Sequence, residues 1–264
     1  MKRIILSLAM TLCCLVSFTQ ETGKYTDSRD SKIYKTVKIG DQTWMAENLS
    51  ATKFNDGTEI PLISDSTMWI NLKSSGFCWF KNDFDNSGKT YGAIYNWYAI
   101  NDTLNGKNIC PDSWHVPTKQ DFMDLVLYIK MTLLAGIVGN ALDNNLDVAK
   151  ALASTQNWKI SSKNGSVGNS DYSNKRNVTG FNALPGGMRS NTGSFSGIGE
   201  LGLWWGSTKE EQPGKAALII ISSDNSTVGF YQGNFNLGCS VRCVKNIIKN
   251  EKPSGSQNGK FILK

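Results

Sequence analysis

Four cysteines downstream of an export leader constrain this sequence more than any other feature. Lys2-Arg3 forms a positive n-region, Ile4 to Phe18 is a continuous apolar run, and Ser17 and Thr19 stand at the −3 and −1 positions of a cut before Gln20. That is the pattern of a secretory signal peptide over residues 1–19, and the run is too short for a comfortable membrane span. A lipoprotein signal fits poorly, because Cys14 is preceded by Cys13 and Cys13 by Leu12 rather than by small residues. Removal of the leader takes Cys13 and Cys14 with it and leaves Cys78, Cys110, Cys239 and Cys243 in an oxidising compartment.

An even cysteine count after export predicts two disulfides, with three possible pairings. If residues 239–243 are a strand, Cys239 and Cys243 share a face roughly 13 Å apart, too far to bond to each other. Each then reaches back to an earlier cysteine, and the pairing adopted is Cys110–Cys243 with Cys78–Cys239. The first would close a loop contributing about 4–5 kcal/mol in the chain-entropy model. The alternative use of the sulfurs, a metal site, lacks both a close CxxC pair and a set of histidines: His115 is the only histidine in the chain. No metal and no cofactor is expected.

Charge and composition exclude several classes. The formal net charge of the 264 residues is +6, and loss of Lys2 and Arg3 lowers it by two. Part of the excess lies in the tail, at Lys245, Lys249, Lys252, Lys260 and Lys264. No basic stripe is interleaved with aromatics, so nucleic acid is not an expected partner. The most apolar later segment, Phe122 to Val138, carries Asp124 and Lys130 and reads as a buried helix, which leaves no membrane span after cleavage. With 40% hydrophobic and 19% charged residues, the chain has ample surface to bury in a core.

Local patterning gives an order of elements. Residues 20–27 read as a flexible leader. Ile33 to Ile39 alternates as a strand, Gly40-Asp41 signals a turn, and Gln42 to Ala46 returns as a hairpin. Gly76 to Phe80 is a short buried strand. Thr118 is a helix N-cap with Asp121 at N3. Phe122, Leu125, Val126, Ile129 and Leu133 follow at helical spacing, while Met123, Leu127, Met131 and Leu134 add a second apolar row that predicts burial on two sides. A weaker helix is expected near Leu146 to Ala153. From Asn164 to Gly202 the chain is dense in Gly, Ser and Asn, and reads as a long region of organised loops. Strands return at Leu203–Trp205, Ala216–Ser222, Val228–Tyr231 and Ser240–Val244. The unalternating run Leu218-Ile219-Ile220-Ile221 predicts a central strand. Residues 247–264 read as a flexible basic tail. The fold class expected is α+β.

Three constellations invite functional readings. Asp83 to Gly88 resembles the start of a calcium loop, but Ile94 stands where the closing Glu belongs, so a polar turn is expected. His115 has no nucleophile motif beside it and reads as a hydrogen-bonded structural residue. Trp204 and Trp205 with Tyr91, Tyr95, Trp97 and Tyr98 are candidates for a sugar-stacking platform. Alternation along a strand would turn only one of Trp204 and Trp205 inward. The ligand residues expected are Trp204, Trp205, Arg189, Tyr95 and Trp97, with no catalytic residue.

Several blocks, taken in order, resemble the Fibrobacter succinogenes major paralogous domain. They are Val37-Lys38-Ile39-Gly40 with Gln42 to Leu49, Tyr91-Gly92 with Tyr95 to Ala99, and Ile109-Cys110-Pro111 with Trp114 to Thr118. They continue with Gly180-Phe181, Ala183 to Gly187 and Arg189, then Trp204 to Thr208, and end at Ser240 to Val244. The resemblance spans residues 28–246. It implies an exported domain common in Bacteroidota and Fibrobacteres, with a C-type lectin-like fold: an N-terminal β-hairpin, two helices, a long loop region and an antiparallel sheet. In that fold Cys110–Cys243 would tie the first helix region to the last strand. The family's function is uncharacterised.

Two classes of function follow, and a third stands beside them. The leading expectation is an exported, non-enzymatic binding module, secreted or at the cell surface, whose partner is a glycan or an envelope protein. The alternative is an oxidase similar to the formylglycine-generating enzyme, with Cys239 and Cys243 as copper ligands. The third is a purely structural surface protein.

Overall fold

The computed structural model describes residues 20–101, 106–134 and 148–246; the expected signal peptide at 1–19 and the expected tail at 247–264 lie outside them. In chain order the elements are β1 (Thr22–Thr26), β2 (Ile33–Ile39), β3 (Gln42–Met45), α1 (Ser66–Asn71), β4 (Phe77–Cys78), α2 (Lys89–Tyr91), β5 (Ile94–Tyr95), α3 (Trp97–Ile100), β6 (Trp114–His115), α4 (Lys119–Tyr128), α5 (Val148–Leu152), β7 (Gly186–Arg189), β8 (Phe195–Ile198), β9 (Leu201–Lys209), β10 (Lys215–Ser222), β11 (Gly229–Asn234) and β12 (Val244–Lys245). Long strands in antiparallel sheets and short, separate helices make this an α+β fold.

The hairpin read from alternation forms as β2 and β3, with Gly40 at φ 60° in the turn. They sit inside an antiparallel sheet of order β1-β2-β3-β12-β6, so the first and last thirds of the domain share one sheet. β1 corrects the flexible leader: its five residues pair in register with β2. It carries no apolar alternation because it is an edge strand held by backbone hydrogen bonds, with Tyr25 set edge-on to Trp114 at 5.3 Å.

A second sheet, ordered β11-β10-β9, divides the interior. Leu218 pairs with Trp205 in the core that holds Tyr95, Trp97 and Met45; the next residue, Ile219, pairs with Trp204 in the core under α4. Both faces are covered, which accounts for the absence of alternation in this run. The segment Gly238–Ser240 then stitches the parts together, bridging to Arg189, Tyr95 and Trp204 in successive residues.

α4 begins as expected. Thr118 Oγ1 accepts from the Asp121 amide at 3.1 Å, and Asp121 Oδ2 accepts from the Thr118 amide at 2.7 Å, a reciprocal capping box. Phe122, Leu125 and Ile129 face the core, with Phe122 5.2 Å from Trp44. The second apolar row stays in solvent: Met123, Leu127 and Met131 are 46%, 55% and 67% exposed, because only one side of α4 meets the sheets.

Cys110 and Cys243 form a disulfide with Cα atoms 5.9 Å apart across 133 residues, tying the loop before β6 to the residue before β12. The expected Cys78–Cys239 bond is absent; both thiols are free and buried. The ladder explains this. Tyr95 of β5 lies between Phe77 and Cys239, so Cys239 belongs to the Phe77–Tyr95 row, whereas Cys78 pairs with Ile94 in the next row. Successive residues of a strand point to opposite faces. Cys239 accordingly packs with Phe77 and Tyr95, and Cys78 with Ile94 and Phe80 in a separate cluster.

Candidate functional site

A cleft of about 620 Å³ opens where three separate stretches meet: Asp30 and Lys32 ahead of β2, Ser50 and Thr52 after β3, and the turn from Trp79 to Lys89. This volume lies within the range of small-molecule sites. One wall is aromatic. Trp79 is half-buried, with Phe77 edge-on at 5.3 Å and Phe84 tilted against it at 4.8 Å. The other walls carry hydroxyls, an acid and two ammonium groups.

The sequence builds the aromatic wall locally. After β4, Lys81 and Asn82 both adopt left-handed backbone (φ 54° and 58°), a conformation costing roughly 1–2 kcal/mol per L-residue. The turn carries Phe84 back onto Trp79. Asp83 caps the following turn, Oδ1 accepting from the Asn86 amide at 3.0 Å and Oδ2 from the Asn86 side chain at 2.8 Å. The stretch that resembled a calcium loop is therefore a capped polar turn, as expected. Gly88 closes it, and a Cβ there would lie 2.7 Å from Phe84 Cδ2 and 2.8 Å from Trp79 Cε3.

On the polar side, the buried Tyr34 hydroxyl receives the Ser50 amide at 3.2 Å and fixes the Ser50 side chain. Lys32 Nζ donates to Ser50 Oγ and lies 4.9 Å from the centroid of the Tyr34 ring. Burial lowers the Lys32 pKa, and Glu47, Asp30 and Asp27 oppose that shift through space. Across the cleft, Lys89 pairs with Asp85 at 2.6 Å.

Two other depressions are chemically different. One of about 400 Å³ carries Lys159, Glu200, Lys163 and Asp224, which pair with each other across it at 2.6 and 2.9 Å. One of about 330 Å³, by Tyr98, Asn234 and Asn236, has no charged lining residue.

The ligand residues read from sequence all lie inside the protein. Trp204, Trp205, Tyr95, Trp97 and Arg189 are each at most 2% exposed. Both tryptophans turn inward because β9 has a core on each face. Their polar atoms are engaged internally: Trp204 Nε1 donates to Asn48 Oδ1 (2.9 Å), Trp205 Nε1 to the Tyr95 carbonyl (2.8 Å), Trp97 Nε1 to the Gly206 carbonyl (3.1 Å) and the Tyr95 hydroxyl to the Ala51 carbonyl (2.7 Å). Arg189 donates to the carbonyls of Ile63, Ser64 and Gly193, between the rings of Trp69 and Phe195. These side chains fill the core and offer no stacking platform.

The cysteine pair of the oxidase reading is likewise unavailable. Cys243 is closed in the disulfide, and burial pushes the Cys239 thiol pKa well up. Among the described residues no three His, Cys, Asp or Glu side chains converge as a metal set. His115 bonds to Asn246 Oδ1 (2.6 Å) and Asp121 Oδ2 (3.3 Å), a structural role as expected. Sequence reasoning missed the Trp79 cleft. Its local signals were Trp79 and Phe84 on either side of a turn that ends at Gly88.

Residues 37–245 match the family model described as Fibrobacter succinogenes major domain. No curated protein and no solved structure matches the chain.

Proposed function

The chain belongs to the Fibrobacter succinogenes major domain family, and we propose that it is an exported, non-enzymatic module that binds saccharides in the Trp79 cleft. The observation that carries this reading is that one cleft is lined by both aromatic rings and polar groups. Trp79 and Phe84, packed against each other at 4.8 Å, supply the rings, and Ser50, Thr52, Asp30 and Lys32 supply hydroxyls and charges. A saccharide presents apolar C–H faces and a rim of hydroxyls, which such a cleft satisfies together. The disulfide, and the absence among the described residues of a helix long and apolar enough to cross a membrane, are compatible with export.

The lectin-like architecture belongs to the same proposal. It is supported by the capped α4, the loop-rich stretch between α5 and β7, and the Cys110–Cys243 tie to the last strand. The cleft lies outside that loop-rich stretch.

The test is calorimetric titration with neutral and acidic oligosaccharides, with Trp79→Ala as the comparison. Loss of the ring should cost about 1.5 kcal/mol, roughly tenfold in affinity. If no saccharide binds, or if Trp79→Ala binds as well as the parent, the reading fails, and an envelope-protein partner or a purely structural role takes its place.

A further inference from the structure

The cleft contains an ammonium group whose charge is not neutralised by a contacting carboxylate. Lys89 is paired with Asp85. Lys32 is not: its Nζ rests on a neutral hydroxyl, Ser50 Oγ, and on the face of Tyr34, and among the described residues no carboxylate contacts it. Asp30, its neighbour at the rim, uses Oδ1 to accept the Lys32 backbone amide at 2.9 Å. Lys32 also lies deeper than an ordinary surface lysine, with its ammonium partly desolvated and its pKa pulled down.

An ammonium has three protons to donate. One is spent on Ser50, which holds the group in the lining of the same cleft as Trp79. A partly desolvated cation gains most from an anion that arrives with its own geometry fixed. We propose that the cleft selects anionic saccharides, with the acid group of the sugar on Lys32 and the ring face against Trp79.

This inference rests on the saccharide reading, and the experiment separates the two. The full exported chain is titrated with a galacturonic acid trimer, a sulfated oligosaccharide and a neutral glucose trimer, at 50 mM and 500 mM salt. At least one anionic probe should bind tenfold or more tighter than the neutral trimer at low salt, and lose most of that advantage at high salt. The anionic probe that binds identifies the acid group as carboxylate or sulfate.

Lys32→Gln should remove the preference while leaving the weaker neutral affinity, and Lys32→Arg should retain it. Lys24→Gln, the same charge change at an exposed β1 position outside the cleft, should alter nothing. Thermal melts of each variant establish that it is folded. Equal binding of neutral and anionic probes, or an undiminished preference in Lys32→Gln, overturns the charge selectivity and leaves the saccharide reading standing. Absence of binding by every probe overturns both.

Discussion

Arg242 donates from Nη2 to Oδ1 of Asn48 at 2.8 Å, across 194 residues of sequence. The same oxygen accepts from Trp204 Nε1 at 2.9 Å, while Asn48 Nδ2 donates to the Tyr91 carbonyl at 2.8 Å and to Ser240 Oγ at 3.3 Å. One buried amide thus fills both its acceptor and donor capacity and joins four parts of the chain. Arg242 is wholly buried; its Nη1 donates to the Phe181 carbonyl and its Nη2 also to that of Asn182. Its guanidinium lies 4.3 Å from the Phe181 ring centroid, and burial pulls its pKa down to about 9.

Asn48→Leu should therefore destabilise the domain by about 3 kcal/mol, because it strands a buried indole N–H and one edge of a buried cation. Urea denaturation of the two proteins measures this. A midpoint within error of the parent would show that the amide is dispensable.

The sulfur chemistry gives an independent check. Alkylation of the folded, non-reduced protein should label neither Cys78 nor Cys239, since both are buried and burial raises the Cys78 thiol to about 12. Unfolding without reductant should expose those two positions and leave Cys110 and Cys243 unlabelled. Cys110→Ala with Cys243→Ala should cost about 3–5 kcal/mol.

Legibility in the sequence followed the range of each interaction. The β2–β3 hairpin and the start of α4 could be read because their signals are local: alternation around Gly40-Asp41, and Thr118 set three residues before Asp121. The solvent exposure of Met123 and Leu127 could not, because a helix's own spacing does not say how many of its faces will meet a sheet. The same limit hid the burial of Trp204, whose second core is assembled from α4, α5 and β3. Arg189 reads from the sequence as a ligand residue and is buried instead, because its partners are backbone carbonyls and rings far away in the chain. The Trp79 cleft draws on residues 30–32, 50–52 and 79–89, and no single window contains enough of it to be seen.

His115 and Asp121 set a pH window for the start of α4. The hydrogen bond to Asp121 raises the His115 pKa above its usual value, against burial and with help from Asn246. Burial alone would raise Asp121, but hydrogen bonds from His115 and Thr118 outweigh it and hold the carboxyl at about 2. The histidine contribution is complete below about 6.5 and fades as pH rises through its folded value; the aspartate contribution is complete above about 4 and fades as pH falls towards 2. Their joint effect is greatest between these limits. Both groups are partly exposed, so it should amount to less than about 1 kcal/mol. Urea midpoints at pH 5 and pH 8.5 should differ in favour of pH 5, and His115→Gln should reduce that difference.

Lys150 organises the loop-rich stretch from below. It is 1% exposed, and its ammonium donates to the carbonyls of Asn169 at 3.1 Å and Asp171 at 2.5 Å, as well as to the Asp171 carboxylate. The second oxygen of that carboxylate accepts the Gly165 amide at 2.6 Å. Lys150→Met keeps the bulk and removes these bonds, so it should cost about 2–3 kcal/mol. Hydrogen exchange at Gly165 and Asp171 should accelerate more than in the β9–β10 pair. Uniform acceleration throughout the domain would instead mean that Lys150 supports the whole fold and not this loop.

Gly88 offers the most direct way to perturb the cleft without removing a contact group. Its backbone is ordinary right-handed helix (φ −62°), so alanine is conformationally acceptable there. The nearest atoms to the added methyl belong to the rings of Phe84 and Trp79, at 2.7 and 2.8 Å, and both residues line the cleft. Gly88→Ala should therefore force the two rings apart, at an overpacking cost of about 1–3 kcal/mol read as a lowered denaturation midpoint. That movement breaks the wall on which a sugar face would rest, so saccharide affinity should fall about tenfold, as far as in Trp79→Ala. Full affinity in a folded Gly88→Ala protein would show that the paired geometry of the two rings does not matter to binding.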